Sequence, residues 1–311
     1  MRVTRFFFTV CVVLLLFMFA GGMTVILKTE DGERTPAPVP ISERTGQGSS
    51  TELELSRLES SVSRDEPVNL LVLGLDKDET RCDVMMLFHF DPETSGLKLM
   101  SIARDTRVRR KDSYDRINAL YSSGREKQVA QKITEITGLP VHYYITMNFE
   151  GFRKTIDLLG GVSFYVPFRM NYDDPTQDLH IHLKKGMQLL DGKKAEQLVR
   201  YRKGNLKGQG YTEGDIDRIK MQQDFIKALM EQKIHIKYIS RVDELFQIMD
   251  RYVKTNITLT DIAQYVTKAG KIKSENIETF TLPGESKMIG EKWYYIYDRE
   301  KTEEMVAEHF Q

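Results

Sequence analysis

The chain has 311 residues, enough for one large domain or two ordinary ones. Its 45 Lys and Arg balance 45 Asp and Glu, so no bulk charge points to nucleic acid as a partner. The two cysteines, Cys11 in an apolar run and Cys82 in a strand-like segment, argue against a disulfide; they fit a cytosolic protein or an extracytoplasmic one that folds without disulfides.

Residues 6–27 carry no charge, a length that can span a bilayer. Arg2 and Arg5 precede this run, and Lys28, Glu30, Asp31, Glu33 and Arg34 follow it without net positive charge. The positive-inside tendency then puts residues 1–5 in the cytoplasm and the rest of the chain outside. The run is long for the apolar part of a signal peptide, and Ala20-Gly-Gly lies inside it. An uncleaved transmembrane helix is therefore expected over 6–27, rather than a cleaved leader. Residues 28–66 contain Pro36, Pro38, Pro40 and Gly46-Gln-Gly-Ser-Ser50, a composition that cannot bury a core and reads as an extracytoplasmic linker, with 52–63 a candidate juxtamembrane helix. Residues 67–311 read as one globular domain without internal repeats.

Three short apolar runs open that domain, at 68–75, 81–90 and 97–102, and each is bounded by charged residues. They read as buried strands. A helix is expected over 126–137, a strand over 141–147, a helix over 149–159 stopped by Gly160-Gly161, and a strand over 162–166. The polar stretch 171–177 reads as a turn region, 179–183 as extended, 193–201 as helical, and 204–214, with four glycines, as a mobile loop. A helix over 215–232 carries an apolar stripe at Ile219, Phe225, Ile226 and Leu229. Two more helices, a strand at 277–282 and a closing helix from about Glu300 complete the pattern. Strands alternating with helices predict an α/β domain, a central mixed sheet with helices on both faces.

The strand ends carry the chemistry. Asp76 and Asp83 suit a hard divalent cation with oxygen ligands. Arg81 and Arg104 suit a phosphate or carboxylate gripped by a guanidinium fork. Arg81 and Asp83 would share a strand face, although a solvated strand entry explains that pair as well. Arg200-Tyr-Arg-Lys203 sets three cations before the glycine loop; it is either a phosphate site, with Arg200 and Arg202 on one extended face, or a basic helix C-terminus matched to the macrodipole. Asp215, Arg218 and Gln222 share one helical face, as a site or as an intrahelical pair. His180-Ile-His182 puts two imidazoles on one strand face and could hold zinc, but no further ligand stands nearby at a recognisable spacing. Cys82 is a poor nucleophile beside Asp83. The chain has no G-x-x-x-x-G-K-[ST], no G-x-G-x-x-G after a strand, no G-x-S-x-G and no H-E-x-x-H.

In order and spacing, these segments resemble the LytR-CpsA-Psr family of bacterial cell-wall enzymes. The resemblance is carried by residues 69–76, Arg81-x-Asp83, Ser101-Ile-Ala-Arg-Asp-Thr106, Arg116-Ile-Asn118, Asn148-Phe-Glu-Gly-Phe152, Gly160-Gly-Val162, Arg200-Tyr-Arg202 and the 215–222 helix. A weaker tail runs through Leu282-Pro-Gly284 and Trp293-Tyr-Tyr. It implies a transferase that moves a glycopolymer, such as wall teichoic acid or capsular polysaccharide, from an undecaprenyl diphosphate carrier to a muramic acid hydroxyl of peptidoglycan. It implies magnesium (or manganese) on Asp76 and Asp83, and diphosphate oxygens held by Arg81, Arg104, Arg116, Arg200, Arg202, Arg218 and Gln222. Asp83 or Asp105 would take the acceptor's proton, and an apolar tunnel between the sheet and the 149–159 helix would take the prenyl tail. The implied location is the outer face of the cell membrane of a Gram-positive-type bacterium, away from the chromosome and without nucleic acid as a partner. The chain departs from the family pattern at Cys82 and Val84, where hydroxyl residues are usual, at Ala103 for Pro and at Ala119 for His; the first two remove hydroxyl support around Asp83. Two rivals stand beside the transferase: a pyrophosphatase acting on lipid-linked diphosphate, and a non-catalytic extracellular sensor of polyprenyl diphosphate precursors.

Overall fold

The computed structural model describes residues 66–310 apart from 77, 122–124, 177, 207–208, 213–214, 234–241, 259–260 and parts of 262–273. The expected cytoplasmic residues 1–5, the anchor over 6–27 and all but the last residue of the 28–66 linker lie outside the described residues. Among the described residues, no helix is long and apolar enough to cross a membrane.

The first strands are β1 (Val68–Leu75), β2 (Cys82–Asp91) and β3 (Gly96–Ile102), followed by a small hairpin of β4 (Arg107–Arg110) and β5 (Ser113–Arg116). Next come α1 (Glu126–Thr137), β6 (Tyr143–Asn148), α2 (Phe149–Leu158), β7 (Val162–Val166), β8 (Met170–Asp174), β9 (Leu179–Leu183) and β10 (Gly186–Leu190). The chain continues through α3 (Gly192–Arg200), α4 (Asp215–Lys233), α5 (Val242–Tyr252), β11 (Val253–Thr255) and β12 (Ile277–Thr281). It closes with β13 (Gly284–Ile289), β14 (Lys292–Tyr297) and α6 (Arg299–His309).

The main sheet has six strands in the order β11-β6-β1-β2-β3-β12. β1, β2 and β3 form an antiparallel meander, with Val72 opposite Met86 and Leu87 opposite Met100. β6 lies parallel to β1 and β12 parallel to β3, so the sheet is mixed, as expected. Successive strand residues point to opposite faces. Leu71, Leu73 and Leu75 of β1 therefore join one core with α1 and Val306, while Val68 and Val72 join another with Ile156, Leu198 and Phe225 of α2, α3 and α4. Helices thus cover both faces, which is why the central strands are nearly continuous apolar runs.

Local chemistry fixes the joints around α2. The Asn148 side chain accepts from the Gly151 N–H at 2.9 Å and caps the helix, and Gly160 and Gly161, both at φ 75°, end it. A Cβ at Gly151 would stand 2.6 Å from the Tyr252 Cβ, so only glycine lets α2 lie this close to α5.

Four features differ from the expectation. Residues 170–174, which overlap the 171–177 stretch read as a polar turn, form a strand paired with 179–183. Its alternation is hidden because Asn171, Asp173 and Asp174 outnumber the inward Met170. The β4–β5 and β13–β14 hairpins and β10 were not expected; their sequences are short, charged or surface-facing. Arg200 ends a helix and Tyr201 caps it, so Arg200 and Arg202 do not share an extended face. Arg81 precedes β2 and does not lie on it.

Candidate active site

β1 delivers Asp76 at its carboxyl end, and β2 begins beside it, Leu75 standing opposite Cys82. The Asp76 Oδ1 accepts from the backbone N–H of Thr80 (2.9 Å) and of Arg81 (3.1 Å), while the Asp76 N–H donates to the Arg81 carbonyl at 3.0 Å. The carboxylate thus closes its own turn. Within that turn Glu79 adopts φ 54°, a left-handed conformation uncommon outside glycine, and accepts from Asn148 Nδ2 at 2.5 Å. The cap of α2 and the Asp76 turn are therefore tied together.

From Asp83 a line of alternating charge runs outward. Arg104 Nη1 meets Asp83 Oδ1 at 2.6 Å, Arg104 Nε lies 4.0 Å from Asp105 Oδ2, and Arg116 Nε lies 3.3 Å from Asp105 Oδ1. All four side chains are partly exposed, so the pairs remain open to ligands. The turn that presents Arg104 and Asp105 is fastened from three sides. Thr106 donates through its hydroxyl to the Ala103 carbonyl at 2.6 Å, Asn118 N–H donates to the Arg104 carbonyl at 3.2 Å, and Tyr295 N–H donates to the Asp105 carbonyl at 2.9 Å. Arg116 is also held by the Trp293 carbonyl at 3.0 Å. This explains why Arg116-Ile-Asn118 and Trp293-Tyr-Tyr accompany the charged motif in the sequence.

Next to the charges lies a small apolar cavity between the sheet and α2, α3 and α4. Val72, Met86, Ile145, Phe152, Phe225 and Ile226 are among its walls. Leu75 and Val84, which also line it, are the chain neighbours of Asp76 and Asp83. Gln222 lines it too and donates from Nε2 to the Val199 carbonyl at 2.9 Å. Arg218 stands one helical turn before Gln222 and is buried. Arg200 lies over the ring of Phe149, another wall residue, at 4.7 Å to its centroid. The structure thus joins Asp83, Arg104, Asp105 and Arg116 in one chain of ion pairs, leaves Asp76 in the turn between β1 and β2, and sets Gln222 in the cavity wall with Arg218 one turn before it and Arg200 over Phe149. Arg81 and Arg202 are exposed, and the Asp215 side chain lies outside the described residues.

Three residues of this region escaped the sequence reading. Glu196 is buried between Arg153 (2.9 Å) and Arg200 (2.8 Å) and fixes where Arg200 points. Its i, i+4 spacing to Arg200 was the available signal. Arg153 also pairs with Glu150 of its own helix. Glu79 sits in a polar turn that carries no periodic signal.

Cys82 is fully buried, and burial first, then the charge of Asp83, pushes its thiol well above the usual range. It is inert, as expected, though burial is the larger cause. For a divalent metal, Asp76 and Asp83 fit by donor type: each carboxylate offers several lone-pair sites, and those used by Thr80, Arg81 and Arg104 do not exhaust them.

A profile of the LytR_cpsA_psr family matches residues 39–311. The chain is 27% identical over 247 residues to the Bacillus subtilis (strain 168) polyisoprenyl-teichoic acid–peptidoglycan teichoic acid transferase TagV, a match covering 76% of this chain and 62% of that protein, short of two thirds of its length. It is 26% identical over 255 residues to TagU of the same organism, which bears the same transferase name, covering 80% of this chain and 79% of that one. The crystal structure of B. subtilis TagV superposes with a TM-score of 0.63 at 26% identity, covering 79% of this chain and 97% of that one.

Proposed function

The chain belongs to the LytR_cpsA_psr family, and from that premise we propose that it is a phosphotransferase moving an anionic glycopolymer, of wall teichoic acid or capsular type, from an undecaprenyl diphosphate carrier to peptidoglycan. The observation that carries this reading is the junction of an apolar cavity with a cluster of arginines and aspartates. Such a junction matches an amphiphile with a long hydrocarbon tail and a polyanionic head.

In the proposed reaction the acceptor hydroxyl oxygen forms a bond to the glycan-bearing phosphorus, and the bond from that phosphorus to the oxygen of the prenyl phosphate breaks. The prenyl phosphate leaves as an anion, and the acceptor's proton passes to Asp83 or Asp105. Arg104, Arg116, Arg200, Arg202, Arg218, Arg81 and Gln222 surround the diphosphate, offset its charge and stabilise the charge that develops on the leaving oxygen. Asp76 and Asp83 would hold magnesium or manganese, which supplies further positive charge beside the diphosphate when bound. The Arg104–Asp83 pair links the two ligands. A phosphate that drew the guanidinium away would leave Asp83 free to hold a cation, and each ligand would then strengthen binding of the other. In this reading residues 6–27 anchor the chain and 67–311 work on the outer face of the membrane.

The test mixes the purified full chain with a prenyl-diphosphate-linked glycan and peptidoglycan fragments, with magnesium or with chelator. Glycan joined to the acceptor only when the cation is present supports the transferase. Free phosphorylated glycan alone makes the protein a pyrophosphatase. Tight carrier binding without turnover makes it a sensor.

A further inference from the structure

We propose that Asp173, His180 and His182 form a zinc site on the exposed face of the β8–β9 hairpin, separate from the charged cluster described above. The register puts Asp173 directly opposite His180, with His182 two residues farther along β9. Alternation sends Leu179, Ile181 and Leu183 into the core and leaves both imidazoles outward on the face that Asp173 shares. Asp173 Oδ1 lies 2.6 Å from His180 Nδ1 and 3.2 Å from His182 Nε2. One ligand atom from each residue falls within 4.8 Å of the others, and among the described residues no other group of three or more His, Cys, Asp or Glu does so.

These distances can be compared with what a metal needs. Ligands about 2.0–2.1 Å from a tetrahedral zinc stand roughly 3.3 Å apart. The Asp173–His182 pair already has that separation, and the Asp173–His180 pair must open by less than about 1 Å on a solvent-facing hairpin. Asp178 Oδ1 lies 3.9 Å from His180 Nε2. With Nδ1 on the metal, Nε2 carries the proton and faces a carboxylate, the arrangement that orients metal-bound histidines. Two imidazoles and one carboxylate favour zinc over magnesium or calcium, and solvent would complete the coordination.

The site has a mechanical consequence. Asp173 N–H donates to Asn205 Oδ1 at 2.7 Å, and Asn205 Nδ2 donates back to the Asp173 carbonyl at 2.9 Å. Asn205 lies three residues beyond Arg202, so a metal that fixes Asp173 steadies the loop that carries this arginine.

The experiment uses the untagged full chain, freed of metal by chelation and titrated with Zn2+ by calorimetry in excess magnesium. Cobalt serves as a visible probe of coordination. One equivalent of zinc is expected, with cobalt absorption bands of imidazole ligation. His180→Gln, His182→Gln and Asp173→Asn should each weaken zinc binding more than about tenfold, and Asp178→Asn should weaken it less. All four positions are exposed, so the metal-free variants should melt within a few degrees of the parent, which separates loss of ligation from loss of fold. No zinc uptake, or uptake unchanged in a His180→Gln/His182→Gln double variant, overturns the proposal.

Discussion

The two ends of β1 are both polar, yet they are built on opposite principles. At the amino end, Asn69 and His89 are buried and form a neutral network with the half-buried His142. His142 Nδ1 accepts from the Asn69 N–H at 2.9 Å, His89 Nδ1 lies 2.8 Å from Asn69 Oδ1, and Asn69 Nδ2 donates to the Pro140 carbonyl at 2.8 Å. At the carboxyl end, Asp76, Asp83 and Arg104 are charged, partly exposed and adjacent to an apolar cavity. A buried neutral network in which each group has its partner specifies register and resists change. A charged pair within reach of water can exchange partners with a ligand. Polarity at a strand end therefore does not identify a site; charge, access and a neighbouring cavity do.

The contrast can be broken most sharply at Arg104. Arg104→Ala or Asp83→Asn should lower transfer about a thousandfold. The same variants should cost only about 1 kcal/mol of stability, because the pair is partly solvated. A transfer assay run beside thermal unfolding checks both, and near-parental transfer in either variant removes these residues from the site.

The amino end should respond to acid instead. Burial, with the charge of Lys98 second, holds His89 at a pKa of about 4 against an ordinary value of 6.5. The unfolded chain takes up a proton below about 6.5 and the folded chain only below about 4, so His89's contribution is complete above 6.5 and is lost as the pH falls toward 4. The loss amounts to at most about 3 kcal/mol, and His89→Gln should flatten it in chemical denaturation measured across that window. Next in size, Asn69→Ala should destabilise by about 2 kcal/mol by stripping partners from buried groups, with turnover per folded molecule unchanged. Smallest is a change in the cavity wall. Ile226→Phe should raise the KM for long-chain carriers about tenfold and leave short-chain carriers nearly unaffected, since only the long tails need the volume it fills.

The central strands were legible because burial on both faces leaves β1, β2 and β3 as apolar runs closed by charges, and α4 shows its buried stripe of Ile219, Phe225, Ile226 and Leu229. The charged residues were legible one by one, but their pairing was not. Nothing in the spacing says that Arg104 would neutralise Asp83, or that Arg153 would share Glu196 with Arg200, because those contacts join elements distant in sequence. β8 was misread because an exposed strand face bearing Asn and Asp looks like a turn until its partner is known. His180 and His182 looked like an incomplete ligand set for the same reason: Asp173 reaches them only through the hairpin register.

The cavity has one more implication. Its walls, among them Val72, Met86, Ile145, Phe225 and Ile226, belong to the larger of the two cores. The polypeptide alone therefore leaves part of its own interior unfinished, and a hydrocarbon seated there would serve as core. Each methylene taken up would add on the order of 0.8 kcal/mol until the space is full. Because ligand bound only to the folded state appears as stability, the melting temperature would climb with tail length and then level off. Read that way, an unfolding curve becomes a ruler for the lipid, and its plateau marks how much of the tail the protein encloses.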